Sequence, residues 1–156
     1  MFRWVSNPEV AQSIGLRSTP SLKKTQEWIA RANADNQFHA HAILLDGDHV
    51  GNVVLDRFDS WAQSARLSIY IGETSARSQG IGSSAVYRAA DVFFEIESHN
   101  KIWLTVHAEN NAAIQSYRKV GFQIEGTLRE EFNLNGRLVD ALYMGLLRSD
   151  FKRAQA

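Results

Sequence analysis

Cysteine is absent from the 156-residue chain, which excludes disulfides, thiolate nucleophiles and any cysteine-built metal site. Proline is scarce: Pro8 and Pro20 both lie near the start. No proline-rich linker therefore divides the sequence, and a single domain over 1–156 is expected. An excess of charge of either sign is also missing. Lys plus Arg and Asp plus Glu number 17 each, leaving no global field to draw the chain to nucleic acid or an anionic membrane. The opening MFRWVSNPEV holds no apolar run of signal-peptide length, and no window approaches a transmembrane span, so a soluble, cytoplasmic protein is expected. What is present is 44% hydrophobic residues, enough for one buried core.

The apolar spacing changes period along the chain. Thr19-Pro20-Ser21 offers a helix start, and Leu22, Thr25, Trp28, Ile29 and Ala32 follow at helical spacing, which predicts a helix over 20–34. Two apolar-rich stretches, 38–45 and 49–58, flank Asp46-Gly47-Asp48 and read as a hairpin. Ala65, Leu67, Ile69 and Ile71 alternate with Arg66, Ser68 and Tyr70, the period of a strand covered on one face. Ile81, Ala85, Ala89, Val92, Phe93 and Ile96 form a helical stripe over 81–97. A short strand at 102–106 follows, then a helix with Ala112, Ala113, Ile114 and Tyr117 on one face, stopped by Gly121. Strands at 122–132 and 138–147 meet at Asn135-Gly136, a dipeptide suited to a tight primed turn. The sum is an α/β mixed sheet, antiparallel at both ends, with a β-α-β-α-β passage between.

That passage carries ARSQGIGSSA, residues 76–85, where strand, glycine loop and helix come in the order that cradles a phosphate. Gly80 and Gly82 bare the backbone, and a helix start leaves N–H donors unpaired. The stretch lacks the Lys-Ser/Thr ending of a nucleoside-triphosphate loop and has Ala85 where a dinucleotide fingerprint needs glycine. Taken alone, glycines that tighten a turn are the plain alternative. Downstream runs HAENNAAIQSYRKVGF, residues 107–122, with Asn110 seven positions before Tyr117 and Gly121-Phe122 just beyond.

Together the two motifs closely resemble the GNAT superfamily of N-acetyltransferases, over residues 4–147. The ending EGTLREEFNLNGRLVDALYMGLL resembles the branch acting on ribosomal proteins, polyamines and nucleotide-linked amino sugars. The resemblance implies a mixed, mostly antiparallel sheet of six or seven strands flanked by about four helices, its central strands splayed for coenzyme A. It implies that the main chain of Gln79, Gly80, Ile81 and Gly82, with Ser78 and Ser83, binds the pyrophosphate of acetyl-coenzyme A. Arg77 opens the motif, either adding charge near a phosphate or forming a plain salt bridge. The edge at Tyr70, Ile71 and Gly72 is expected to pair with the pantetheine amides like an added strand. No metal is expected: His39 and His41 share a strand face without a third ligand.

Transfer from a thioester to an amine needs a deprotonated amine, a polarised carbonyl and a proton for the departing thiolate. Tyr117 is the candidate acid, Asn110 the pantetheine-positioning amide, and a backbone N–H near Ile71 the oxyanion donor. The base is left among Glu73, Glu109, Glu130, Glu131, His107 and water. Without cysteine, direct attack is the expected route. Acceptor recognition is expected from 4–35 and 125–140, where Arg129, Arg137 and Asp140 suit an anionic or hydroxylated substrate and Glu125, Glu130 and Glu131 a cationic one. Trp4, Trp28, Trp61 and Phe132 are candidate stacking surfaces.

The favoured acceptor is a small-molecule amine, an amino sugar or its nucleotide conjugate; a ribosomal-protein-type protein N-terminus or a polyamine is the alternative. A non-catalytic acyl-coenzyme A binding module and a dinucleotide-binding domain are the readings from other classes. Members of the family normally carry a strand before the WVSNPEV segment, and only three residues precede Trp4, so that strand is expected to be missing, shortened, replaced by another chain or lost through a misassigned start. Its loss would expose a sheet edge and favour dimerisation, and a monomer or homodimer is expected.

Overall fold

A computed structural model describes residues 1–16, 18–96 and 98–152, apart from the side chains of Ser13 and Ile96. Its elements run α1 (Phe2–Val5), α2 (Pro8–Ser13), α3 (Leu22–Ala34), β1 (Phe38–Leu45), β2 (Asp48–Asp59), β3 (Ser64–Ile71), α4 (Ile81–Ile96), β4 (Lys101–His107), α5 (Asn111–Val120), β5 (Gln123–Leu134) and β6 (Arg137–Leu147). The expected helix end at Glu97 lies outside the described residues. Five α-helices are present among the described residues, in keeping with the four or so that the resemblance implied.

Local chemistry accounts for the boundaries. Asn7 caps α2 by accepting from Glu9 N–H, with Pro8 in the first turn where its missing donor costs nothing. Helix α3 starts two residues later than expected because Ser21, not Thr19, is the cap: its hydroxyl accepts from Lys24 N–H. Gly121 ends α5 at φ 113°, a left-handed conformation that glycine adopts without penalty. Asp46-Gly47 and Asn135-Gly136 all have positive φ, as tight hairpin turns require.

The six strands form one sheet in the order β1-β2-β3-β4-β6-β5, antiparallel throughout except between β3 and β4. Val86, Phe93, Ile102, Leu104, Met144 and Leu146 form the centre of a core between α4, α5 and one sheet face. On the other face of β1–β3, α1–α3 bury Trp4, Val10, Phe38 and Val54. The decisive feature is the parallel pair. Only Ser64–Arg66 face Lys101–Trp103, whereas β3 continues to Ile71 and β4 to His107. The strands part beyond that short ladder, as the resemblance implied, and a gap opens in mid-sheet.

Candidate active site

The gap is the floor of a cleft of about 1110 Å3. Gly72 N–H donates to Val50 carbonyl oxygen in the β2–β3 ladder. Antiparallel pairing alternates, so the amide groups of Ile69 and Ile71 point away from β2, toward the parted β4. A buried strand edge of this kind needs hydrogen-bonding partners. At one end of the gap, Ser78 (φ 61°) and Gly80 (φ 79°) turn the chain sharply into α4. The backbone bonds at this junction run from Arg77 N–H to Thr74 and from Ser84 N–H to Gly80, leaving the amides between them without a carbonyl partner among the described residues. Unpaired donors beneath a helix dipole attract an anion.

Gly82 distinguishes a ligand cradle from a tightened turn. Its φ is not in the left-handed region, and a Cβ built on it would meet no atom within 4 Å. Nothing in the fold itself demands glycine there. The bare position leaves open space over the free amides, which fits a bulky diphosphate.

The cleft brings together most of the residues that the sequence singled out: Tyr70, Ile71, Arg77, Ser78, Gly80, Gly82, Asn110 and Tyr117 line it, whereas Gly72, Gln79, Ile81 and Ser83 are not among its lining residues. Arg77 is held as a structural cation, its Nε donating to Ile71 carbonyl oxygen (3.2 Å) and a terminal nitrogen to Glu9 (3.1 Å). Gln79 Nε2 donates to Ser75 carbonyl oxygen and Ser83 Oγ to Gly80 carbonyl oxygen, so both side chains serve the loop. Gly72 is covered by Trp4, whose indole occupies the space a Cβ would need.

At the other end, Asn110 caps α5 through Oδ1, which accepts from Ala113 N–H. That leaves its NH2 group for the cleft. Tyr117, about two turns further on, is 9% exposed and lies against Phe122. Burial pushes its phenol up to about 12, so it stays protonated. Among the described residues its hydroxyl has no hydrogen-bond partner.

The candidate bases separate by their partners. Glu73 is engaged by Arg3 (2.6 Å) and by the Trp4 indole N–H. Glu109 accepts a two-pronged bond from Arg137, which holds its carboxyl below the ordinary range. Glu130 sits at φ 53° in a bulge of β5, where its N–H donates to Asp140. Arg137 and Asp140 are thus occupied within the chain, and Glu125 pairs with Lys101. Glu131 and His107 line the cleft. Burial lowers the His107 imidazole, with Glu109 pulling the other way, and its Nδ1 is buried without a partner. His39 and His41 join no metal-binding cluster among the described residues; His39 Nε2 meets Asn36 carbonyl oxygen.

Of the aromatic candidates, Trp61 is 94% exposed and away from the cleft, while Trp28 packs edge-on against Phe38. Phe132 on β5 touches Gly15 at the end of α2, where a Cβ would come to 3.1 Å of the ring, so the first helices and the last hairpin meet over the cleft. Sequence reasoning missed Arg66, Ser68, Trp103 and Tyr143. Arg66 makes two bonds to buried Asp56 (2.8 and 2.7 Å), and Trp103 stacks on Tyr143 at 5.2 Å. The signal was available: Arg66 and Ser68 occupy the polar face of β3 with Tyr70. No helix among the described residues is long and apolar enough to cross a membrane.

Comparison with known proteins follows the same lines. A family profile described as an acetyltransferase (GNAT) domain matches residues 1–123. Spermidine N(1)-acetyltransferase of Escherichia coli (strain K12) is 32% identical over 117 residues, covering 75% of this chain and 62% of that protein. The chain thus spans under two thirds of that relative. L-amino acid N-acetyltransferase AaaT of Escherichia coli (strain K12) is 31% identical over 131 residues, 83% of this chain and 78% of that protein. The crystal structure of spermidine N-acetyltransferase from Vibrio cholerae in complex with CoA and spermine superimposes with a TM-score of 0.87 at 27% identity, covering 96% of this chain and 88% of that one.

Proposed function

The chain belongs to the GNAT acetyltransferase family, and from that premise we propose that it transfers the acetyl group of acetyl-coenzyme A directly to a primary amine on a small molecule. The observation that carries this reading is the parting of β3 from β4 with unpaired amides at one end and the Tyr117 phenol at the other. Similarity to proteins named for spermidine and for L-amino acids favours a polyamine or related amine over the amino sugar expected from the sequence.

In this reading the amides from Gln79 to Gly82 hold the pyrophosphate, and the free edge of Ile69 and Ile71 aligns the pantetheine arm as an added strand. The cosubstrate supplies an acyl thioester. Ile71 N–H faces the place where its carbonyl oxygen gains charge, and the Asn110 amide orients the arm beside the sulfur. The amine nitrogen attacks the carbonyl carbon, and the carbon–sulfur bond breaks as the Tyr117 hydroxyl donates its proton to the departing sulfur. The surplus proton on the new amide nitrogen passes through the cleft back to Tyr117, so that a neutral amide and a free thiol leave. His107, neutral at physiological pH and on the cleft wall, is the base this reading favours for the ammonium proton. Glu73 and Glu109 are committed to Arg3 and Arg137.

Incubation with acetyl-coenzyme A and a panel of polyamines, amino acids, alkylamines, amino sugars and N-terminal peptides tests the reading. Free thiol should appear together with one acetyl group on a small-molecule amine. Thiol release only with peptides would move the acceptor to proteins, and coenzyme binding with no transfer would favour a regulatory module.

A further inference from the structure

We propose that the acceptor amine carries an apolar arm, and that this arm occupies a second cavity of about 350 Å3 beside the cleft, between α3 and the sheet. The proposal rests on the acetyltransferase reading and keeps its small-molecule primary amine, but it departs from the polyamine that similarity to proteins named for spermidine favours. Ile14, Arg66, Ser68, Ile69 and Tyr70 line both spaces, so the cavity adjoins the β3 edge where the reacting nitrogen must stand. Its size suits part of a small molecule.

The lining decides what the arm is. Val5, Leu16, Trp28, Phe38 and Val54 give it apolar walls. Among the described residues its charged groups are Lys24, Asp56 and Arg66. The Asp56 carboxylate is 7% exposed as a residue and already accepts two bonds from Arg66. Lys24, which donates to Thr19 carbonyl oxygen, adds a further positive charge to the wall. A second ammonium entering here would lose its water and find every carboxylate of the wall engaged. An aliphatic or aromatic group would instead gain by leaving water. Leu16, an apolar wall residue 39% exposed to solvent, would be covered by the same event. The lining therefore selects a monoamine with a hydrocarbon arm over a polyamine with a charged tail.

The test uses the full chain with acetyl-coenzyme A, linear amines from ethylamine to hexylamine, 2-phenylethylamine and spermidine, with thiol release as readout. The expected kcat/KM rises roughly fourfold per added methylene and is at least about tenfold higher for hexylamine or 2-phenylethylamine than for spermidine. Val54→Phe, which fills the cavity from the sheet side, should flatten the alkylamine series. A flat series in the unaltered protein, or spermidine equalling hexylamine while thiol is released, overturns this proposal and leaves the acetyltransferase reading standing. If no amine is acetylated and coenzyme A produces no thermal shift, both readings fall together.

Discussion

Gly72 and Trp4 are locked face to backbone: a Cβ on Gly72 would lie 2.2 Å from the indole, with further ring atoms at 2.4 and 2.6 Å. The indole is 7% exposed and also touches His49 and Tyr70 edge-on. One glycine at the end of β3 therefore lets α1 close over the sheet beside the cleft, and Glu73 fastens the arrangement through Arg3 and the indole N–H.

Replacing Gly72 by alanine should consequently be costly. The obstructing atoms belong to the body of a packed ring, so Trp4 or the strand end has to move. A loss of about 1–3 kcal/mol is expected, or roughly 3–10 °C in melting temperature, as for other overpacked sites. Thermal melts of Gly72→Ala beside the unaltered chain measure it. An unchanged melting temperature would mean that α1 does not close over this glycine.

Gly82 and Gly80 should behave oppositely although they are two residues apart. Gly82 has open space around its missing side chain and lies in the first turn of α4, so alanine should leave stability unchanged or slightly raised. Its methyl group would intrude on the free amides, and affinity for coenzyme A should fall by about tenfold or more, equivalent to the loss of a good hydrogen bond. Gly80→Ala, at φ 79°, should instead destabilise the protein by about 1 kcal/mol. Melting with and without coenzyme A separates the two effects. Equal affinity in Gly82→Ala would remove the diphosphate from this junction.

These contrasts mark what was legible in the sequence. Gly121, Asn135-Gly136 and the alternation from Ala65 to Ile71 act through the backbone of their own neighbourhood, so their elements were readable to within a residue or two. Helix α3 was misplaced at its start because Thr19, Pro20 and Ser21 all suit a helix entry, and the choice was made by which hydroxyl reaches Lys24 N–H. The β5 bulge at Glu130 depends on Asp140 across the hairpin, and the tethering of Arg77 depends on Glu9, 68 residues away. Such pairings exist only once the sheet is assembled. The second cavity belongs to the same class, since Trp28, Phe38 and Val54 meet there from three elements.

Tyr117→Phe should lower kcat by about 10²-fold or more while leaving the KM for acetyl-coenzyme A nearly unchanged, because it deletes a proton donor without altering the buried ring. Stability at neutral pH should barely move, since the hydroxyl has no partner to lose among the described residues. The alkaline limb provides a further check. Burial raises this phenol from its ordinary value of 10.0 to about 12. The unfolded chain therefore releases the proton first, and stability present below about pH 10 is lost as pH rises toward 12. That loss should be smaller in Tyr117→Phe. A variant with unaltered kcat would remove the phenol from the reaction.

His107 provides the test at the acid end. Burial lowers its imidazole, so the unfolded chain takes up this proton first, and stability falls as pH drops through about 6.5, the ordinary histidine value. If the same nitrogen accepts the ammonium proton, kcat at saturating substrates should hold its neutral value through that range and decline only at lower pH. Histidine 107 to glutamine (His107→Gln) keeps a polar side chain of similar reach but removes the titration. It should lower kcat at neutral pH by about 10²-fold or more and erase the acid limb, while the KM for acetyl-coenzyme A stays close to that of the unaltered chain. Because the buried Nδ1 has no partner, the substitution should cost little stability, which keeps the kinetic comparison clean. An acid limb that survives in His107→Gln would transfer the role to Glu131 or to water in the cleft.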